Sequence, residues 1–355
     1  MTPPVKKFLF IVEDLYGGGA EKVLLNTASL LKDAGVDVTL FTLREKIDHT
    51  LPDNIHPINL GIVTKLTKAI SNVAVEKIQA SLILKRIKDI SPDVIISCSC
   101  DKITRHLPDT LNIYYWIHGN VTGFAKDNAK GYEKFKRFYN GKKLICVSRG
   151  IADDILHNVK ATPKSCQVIY NPFDIEKIQA LANEPFSKPF DKYFIHVGTF
   201  EERKRHDRLL QAYQLSGVDT PLVLMGKGER RPHIEAMIEE MNLASKVKII
   251  DFQKNPYPYI KTAQALILTS DAEGLPTVLI EALICHTPVI SVDCSSGPAE
   301  ILKGNLSNYL CNINDIEKIS REIAKIESLP LPIDITQSNY EEFSKENTIH
   351  KFLTL

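Results

Sequence analysis

The chain has 355 residues, 44% of them hydrophobic and 25% charged, with a formal net charge of +1; this is the composition of a globular protein long enough for two separate cores, and it excludes a disordered chain. No apolar run approaches the roughly 18–20 residues needed to cross a bilayer, and the run Phe8–Val12 is too short for a signal peptide and is followed at once by Glu13 and Asp14. Charge is unevenly spread: residues 1–180 hold 25 Lys+Arg against 19 Asp+Glu and residues 181–355 hold 19 against 24, so the first half could lean on an anionic membrane surface, although scattered lysines more often form a solvated face.

KKFLFIVE, residues 6–13, is predicted as a strand, and AEKVLLNTASLLKDAG has helical periodicity closed by Gly35. Between them stand Gly17, Gly18 and Gly19, which would let main-chain N–H groups approach a phosphate or a sugar; a plain flexible turn is the commoner meaning of three glycines. VDVTLFTL (36–43) is the next strand. Residues 62–90 give one or two helices carrying Lys65, Lys68, Lys77, Lys85, Arg86 and Lys88, followed by the strand DVIISCS, in which Cys98 and Cys100 alternate. The seven cysteines have neither zinc-like spacing nor a disulfide framework, and read as reduced, mostly buried small hydrophobes of a cytosolic protein. NIYYWIHGN (112–120) is a strand ending at His118, on the edge of a parallel sheet where ligands bind; a core histidine with a local hydrogen bond is the plainer reading.

In residues 125–143, Phe135, Phe138 and Tyr139 are spaced for one helical face. That helix docks its aromatics into the core or shows lysines and aromatics to lipid; no recognition motif supports nucleic-acid binding. LICVSRGIADDIL (144–156) runs from strand to helix through Ser148, and QVIYNPFD (167–174) is a further strand. The polar, proline-containing stretch 182–191 is predicted to be the linker between domains 1–182 and 183–355.

YFIHVGTF (193–200) opens the second domain and ends at Gly198 and Thr199. Arg203, Lys204 and Arg205 then crowd a loop before a helix starting near His206; adjacent cations repel unless an anion compensates, and compensation by Glu201 and Glu202 is the plainer reading. PLVLMGKGERRPHIEAMIEEMNL (221–243) is a strand, a loop through Gly226 and a helix, in the geometry that suits phosphate or base contacts. VKIIDFQ (247–253) is a strand ending at Gln253. ALILTS is a buried strand, the bend Asp271–Leu275 follows it, and Pro276 is placed at the first helical position of TVLIEALIC. This puts the N–H groups of Gly274, Leu275, Pro276 and Thr277, or such of them as carry one, at a helix start that favours an anion. Glu273 and Glu281 lie on this unit, the second inside an apolar helix where it needs hydroxyl or N–H partners. Asn314, with Glu317 three residues on, is predicted to cap a helix to Ser328, and residues 336–355 form a terminal helix.

The segment E-G-L-P-T-V-L-I-E, with T-P-V-I-S-x-D and S-G-P-x-E-I after it, resembles the E-x7-E signature of the family 4 retaining glycosyltransferases, and the resemblance extends over nearly the whole chain. It implies the GT-B fold: α/β, two Rossmann-like doubly wound parallel-sheet domains facing a cleft, the first binding the acceptor, the second the nucleotide sugar, with the terminal helix (about 338–355) crossing back to the first. It implies retaining, metal-independent transfer of a hexose from a nucleotide diphosphate sugar, UDP-linked for preference, to a saccharide or lipid-linked saccharide acceptor in bacterial surface polysaccharide or lipopolysaccharide synthesis. The enzyme would be cytoplasmic, with peripheral contact at the inner membrane face; it would need no cofactor beyond its co-substrate and bind no nucleic acid. His118, Glu273 and Lys204 would be catalytic. Gly18, Gly19, Gly198, Thr199, Arg203, Lys204, Gly226, Gln253, Glu273, Gly274, Leu275, Pro276, Thr277 and Glu281 would bind the donor, with Lys204 on the distal phosphate, Glu273 on the sugar and Glu281 on the ribose hydroxyls. Glu21 also matches the glycine-loop pattern. No metal ligands are predicted, since no Asp-x-Asp of the kind that holds Mg2+ beside a diphosphate is found.

Two departures stand out: Thr199 replaces the family's arginine after the glycine, leaving Arg203 to supply that charge, and Gln253 replaces a glycine beside the base. A UDP-sugar epimerase on the same fold and a non-catalytic nucleotide-sugar-binding protein are the competing readings. The first would change UDP-N-acetylglucosamine with no acceptor present; decay to the second is opposed by Glu273, Glu281, Lys204 and His118 all being in place.

Overall fold

The structure, a computed structural model, describes residues 5–16, 18–125, 129–329 and 340–355. It divides the chain into two compact units, Met1–Pro172 with Lys345–Leu355, and Phe173–Ser344.

Seven parallel strands build the first unit: β1 (Lys7–Val12), β2 (Asp37–Thr42), β3 (Ile58–Asn59), β4 (Val94–Cys98), β5 (Ile113–Ile117), β6 (Lys143–Cys146) and β7 (Ser165–Val168). They lie in the order β3-β2-β1-β4-β5-β6-β7. The central strands are near-continuous apolar runs, FLFIV in β1 and IYYWI in β5, and every one of those residues is buried, as expected where helices cover both faces of a sheet. The strand order reverses between β1 and β4, so the crevice outside their carboxyl ends is this unit's natural ligand edge.

The second unit repeats the plan with β8 (Phe194–Val197), β9 (Leu222–Gly226), β10 (Val247–Asp251), β11 (Ala265–Leu268), β12 (Val289–Val292) and β13 (Leu310–Cys311), ordered β10-β9-β8-β11-β12-β13. Its switch point lies between β8 and β11, which pair through Ala265 with Phe194 and Leu266 with Ile195. Gly198 and Glu273 therefore leave adjacent strands at the same edge. Helix Thr277–Ile284 buries Leu279, Ile280, Ala282, Leu283 and Ile284; at roughly 1.5–3 kcal/mol for each large side chain, this fixes which way Glu281 can face.

Several local expectations shift. Pro276 is the N-cap and the helix begins at Thr277. Asp315, not Asn314, caps helix Ile316–Ser328, accepting from Lys318 N at 2.8 Å, while Asn314 sits in the turn before it. Cys98 ends β4, but Cys100 has already left the strand and caps helix Asp101–Thr104. Helix Ala129–Tyr139 turns its aromatics inward: Phe138 and Tyr139 are buried, and Phe135 stacks on Tyr139 at 6.0 Å. Helix Lys345–Leu353 packs in the first unit, where fully buried Phe352 meets Trp116 edge-on at 5.3 Å and Lys6 Nζ donates to Leu353 O at 2.9 Å. Residues 336–339 of the predicted terminal helix, and Gly17, lie outside the described residues.

Candidate functional site

At the switch point of the second unit a single carboxylate gathers two cations. Glu273 Oε1 accepts from Lys204 Nζ at 2.7 Å and Oε2 from Arg203 Nη1 at 3.1 Å. Arg203 also donates to Ala272 O and to Glu201 Oε1, both at 2.7 Å, and Thr199 Oγ1 donates to the same Glu201 oxygen at 2.7 Å. Thr199, Arg203, Lys204 and Glu273 thus form one network. Burial alone would push the Glu273 carboxyl up, but Lys204 and Arg203 outweigh it and hold the group below the ordinary carboxylate range. The carboxylate stays ionised and both cations stay in place.

The loop owes its position to residues on both strands. Asp271 N donates to Arg203 O at 2.8 Å, and Thr269 Oγ1 reaches Lys204 O and Arg205 O at 3.2 Å. Arg208, buried at 4% exposure, donates to Thr269 O at 2.7 Å and to Asp271 at 2.8 Å. Arg205, in the left-handed region at φ 51°, spans Asp271 and Asp207. The three adjacent cations are compensated mainly by Glu273, Asp271 and Asp207, which are remote in sequence or lie on the following helix, and by Glu201; Glu202 pairs with none of them.

Glycines make room here. A Cβ on Gly226, the last residue of β9, would overlap Gly198 O, and one on Gly198 would stand 3.2 Å from His196 Nε2 and 3.7 Å from the Lys204 stem. Gly198 is therefore the floor over which Lys204 lies. Gly297, at φ 96°, backs on to Pro276 and Gly274 O, and Ser296 Oγ donates to Glu273 O. The bend 273–276 is thereby buttressed by the loop after β12. Leu275 and Pro276 are buried, so they offer only backbone, and Pro276 has no N–H. No side chain caps helix Thr277–Ile284.

Glu281 and Gln253 stand apart from this network. Glu281, half-buried, accepts from Tyr257 OH at 3.3 Å, the hydroxyl partner its apolar helix demanded. Gln253 Nε2 turns back to Asp251 O at 3.1 Å. Beside it Phe252 is 59% exposed with Lys227 Nζ 5.3 Å over its ring, a flat apolar surface that the strand pattern VKIIDFQ did not single out.

Two histidines under the site were also missed. His196 Nδ1 bonds Ile267 O at 2.8 Å, which leaves Nε2 bare, and His206 stands 4.7 Å away, ring to ring, with its own Nε2 unpartnered. Burial pushes His196 down to about 4; burial, with His196 and Lys204 nearby, takes His206 to about 2. Both histidines are neutral. Nothing in FIHV distinguishes such a histidine from any other strand residue.

The residues of the first unit make a different kind of edge. Gly18 caps helix Gly19–Asp33 with no side-chain partner, and the Glu21 carboxylate folds back against Gly18. Burial raises the Glu21 carboxyl, and the N–H groups of Glu21 and Gly18 oppose that. Beside a hypothetical Cβ on Gly19 there is open space. His118, just past the end of β5, lies 4.4 Å from Trp116, ring to ring and tilted by 51°; its Nε2 is buried without a partner and burial pushes it down to about 3. It is a neutral imidazole. Asp154 positions the chain after it, accepting from Val121 N at 2.8 Å and Thr122 N at 2.9 Å. Asp101, after β4, takes bonds from Ser97 Oγ at 3.3 Å and Tyr139 OH at 3.5 Å, and burial lifts it to about 7.

The family model described as "Glycosyltransferase Family 4" matches residues 17–177, and "Glycosyl transferases group 1" matches residues 178–347. An N-acetylgalactosamine-N,N'-diacetylbacillosaminyl-diphospho-undecaprenol 4-alpha-N-acetylgalactosaminyltransferase of Campylobacter jejuni is 27% identical over 328 residues, covering 88% of this chain and 87% of that protein. A lipopolysaccharide 1,6-galactosyltransferase of Escherichia coli is 26% identical, over 87% and 86% respectively. Among solved structures, the apo lipopolysaccharide outer core galactosyltransferase WaaB superposes with a TM-score of 0.75 at 21% identity, covering 98% of both chains. A mutant S. aureus TarM in complex with Fondaparinux, alpha-GlcNAc-glycerol and UDP gives 0.76 at 17% identity over 99% of both.

Proposed function

Because the chain belongs to the family 4 glycosyltransferases and has the GT-B fold, we propose that it transfers a hexose, with retention of configuration, from a UDP-sugar to a saccharide or lipid-linked saccharide acceptor in the making of a bacterial surface polysaccharide or lipopolysaccharide. The observation that carries this reading is the Lys204–Glu273–Arg203 network at the β8/β11 switch point. The named substrates of the relatives, and the UDP bound to TarM, support the donor and acceptor classes.

The chemistry follows from the charges. As the bond between the sugar C1 and the diphosphate oxygen breaks, its electron pair passes to the leaving phosphate, which needs positive potential already in place. Lys204 and Arg203, with the N–H groups of Gly274, Leu275 and Thr277, supply it, and no divalent metal is then required. Glu273 holds the Lys204 ammonium and the Arg203 guanidinium at fixed positions and presents its remaining lone pairs to the sugar. Glu281 takes the ribose hydroxyls in the place of Tyr257 OH, and the base lies on the strand end at Gln253. The acceptor oxygen bonds to C1 on the face the diphosphate leaves, and its proton goes to the departing phosphate oxygen. His118, neutral, serves as a hydrogen-bonding group rather than as a proton carrier.

The test is a thermal-shift panel of nucleotides and nucleotide sugars, repeated with EDTA and on Glu281→Ala, since stabilisation follows ligand affinity by mass action. The expected result is a UDP-selective rise that survives EDTA and disappears in the variant. A rise that needs a divalent ion removes metal independence, and equal shifts with every nucleotide remove the UDP assignment. A trapped covalent glycosyl-carboxylate intermediate would contradict the same-face step.

A further inference from the structure

The strongest feature outside the donor site is a run of exposed apolar side chains on the first unit. Leu66 is 69% exposed, Ile70 and Val73 are each 52%, Ile78 is 62% and Leu82 is 47%. They lie on two consecutive helices, Lys65–Ala69 and Val73–Ile90, joined by three residues. Helix Lys65–Ala69 buries none of its residues and is held by a capping box between Thr64 and Thr67. The Ile62 carbonyl accepts from both Thr67 Oγ1 (3.5 Å) and Gln79 Nε2 (2.9 Å), so the two helices start side by side.

The second helix is inverted relative to an ordinary surface helix. Ala74, Ile78 and Leu82 form an outward ridge at four-residue spacing, whereas Glu76 and Gln79 are 9% and 6% exposed. This is not a rotational slip. Ala80, Ile83 and Ile87 are buried on the inner face, and both buried polar groups are satisfied there, Glu76 by Arg105 Nη2 at 2.8 Å and His106 Nε2 at 3.1 Å. Turning the helix to hide Ile78 would break these bonds and strand an anion.

Cations flank the ridge. Glu76 and Asp89 are the acidic residues between positions 54 and 90, against six lysines and arginines in the same span; Glu76 is buried and paired, and Asp89 lies 3.7 Å from Arg86. Lys77 and Lys85 are exposed on either side of Ile78 and Leu82, and Arg86 follows one turn on from Leu82. A second copy of the chain docked on this face would set lysine rows against each other. Apolar side chains that enter an acyl boundary, ringed by long cationic stems that reach headgroup phosphates, suit a bilayer surface.

We infer that this pair of helices is the surface by which the protein lies on an anionic lipid bilayer, Leu66, Ile70, Val73, Ile78 and Leu82 entering the headgroup–acyl boundary. It rests on the reading of an enzyme with a lipid-linked acceptor.

The experiment is vesicle flotation of the full chain, with phosphatidylcholine vesicles and with the same vesicles carrying phosphatidylglycerol, beside sedimentation without lipid. Binding is expected only to the anionic vesicles and to weaken with salt. The Ile78→Glu, Leu82→Glu double variant should lose it, and Lys77→Gln and Lys85→Gln should each lower it about fivefold, as expected for one surface cation. The double variant's UDP-induced thermal shift should match the wild type, which shows that it is folded. Absence of wild-type flotation on anionic vesicles, unimpaired flotation of the double variant, or a lipid-free dimer that the double variant abolishes overturns the inference. Loss of the UDP shift in the wild type instead sinks the donor reading and leaves the vesicle result standing.

Discussion

The two sheet edges solve opposite electrostatic problems. Beyond β8 and β11, Glu273, Asp271 and Asp207 are interlocked with Arg203, Lys204, Arg205 and Arg208 through ion pairs. Beyond β4 and β5, His118 and Asp101 are held towards their neutral forms by burial. The difference teaches what each edge can receive. Fixed full charges suit a leaving diphosphate, while neutral groups that can only share hydrogen bonds suit hydroxyls.

The sharpest way to break this contrast is Lys204→Ala. It removes a donor to the developing charge and leaves Glu273 with Arg203 alone, and kcat should fall about 100- to 1,000-fold, or roughly 3–4 kcal/mol; steady-state assays would show it. His118→Gln keeps a neutral donor and acceptor, and its loss in the same assay should be far smaller. A variant of His118 as damaging as Lys204→Ala would mean that the neutral edge carries charge in the reaction.

Acid should separate the units next. His196 and His206, neutral when folded, each take up a proton on unfolding below the ordinary value of 6.5. Their folded values are depressed, so stability is full above pH 6.5 and falls as pH drops, down to about 4 for His196 and about 2 for His206, by up to about 1.4 kcal/mol per pH unit for each. Glu273 adds to the loss in the same direction at the lower end, as its own folded value is approached. In the first unit His118 behaves likewise, but Asp101 has a raised folded value, so its effect runs the other way between its ordinary 3.8 and about 7, and the two largely cancel. Hydrogen exchange at pH 7 and pH 5 should therefore show protection lost first in residues 173–344. Equal loss in both units would remove the distinction.

Smaller effects refine the donor edge. Phe252→Ala should weaken UDP binding by about 1–2 kcal/mol, the worth of one base–aromatic stack, read by calorimetry with uridine as a control that lacks phosphate. Thr199→Arg should change affinity least, because Arg203 already reaches Glu273 and Ala272 O from the following turn; a large gain would show that position 199 is an unfilled charge site.

Much of the donor edge was legible because its parts are local. A strand, a glycine-containing bend and an apolar helix announce themselves by period and turn residues, so Glu273, Glu281 and the 203–205 cluster could be placed before any packing was known. What compensates that cluster was not legible. Arg205 finds Asp271 sixty-six residues away because β8 and β11 are neighbours, and sequence spacing carries no trace of that pairing. Asp315 displaced Asn314 as a cap for a related reason: both residues satisfy the pattern, and only the backbone angle decides which carbonyl or carboxylate faces the free N–H groups. The outward ridge of Ile78 and Leu82 hid in a helix whose apolar residues are numerous enough to be read as core on every side.

Phe352 closes on Trp116 from the far end of the chain. During synthesis the ribosome must therefore complete residues 173–344 before that aromatic face of the first unit is covered. Until then an early-emerging sheet keeps an uncovered hydrophobic wall, a natural landing place for chaperones, and truncation within the last ten residues should impair solubility more than their number suggests.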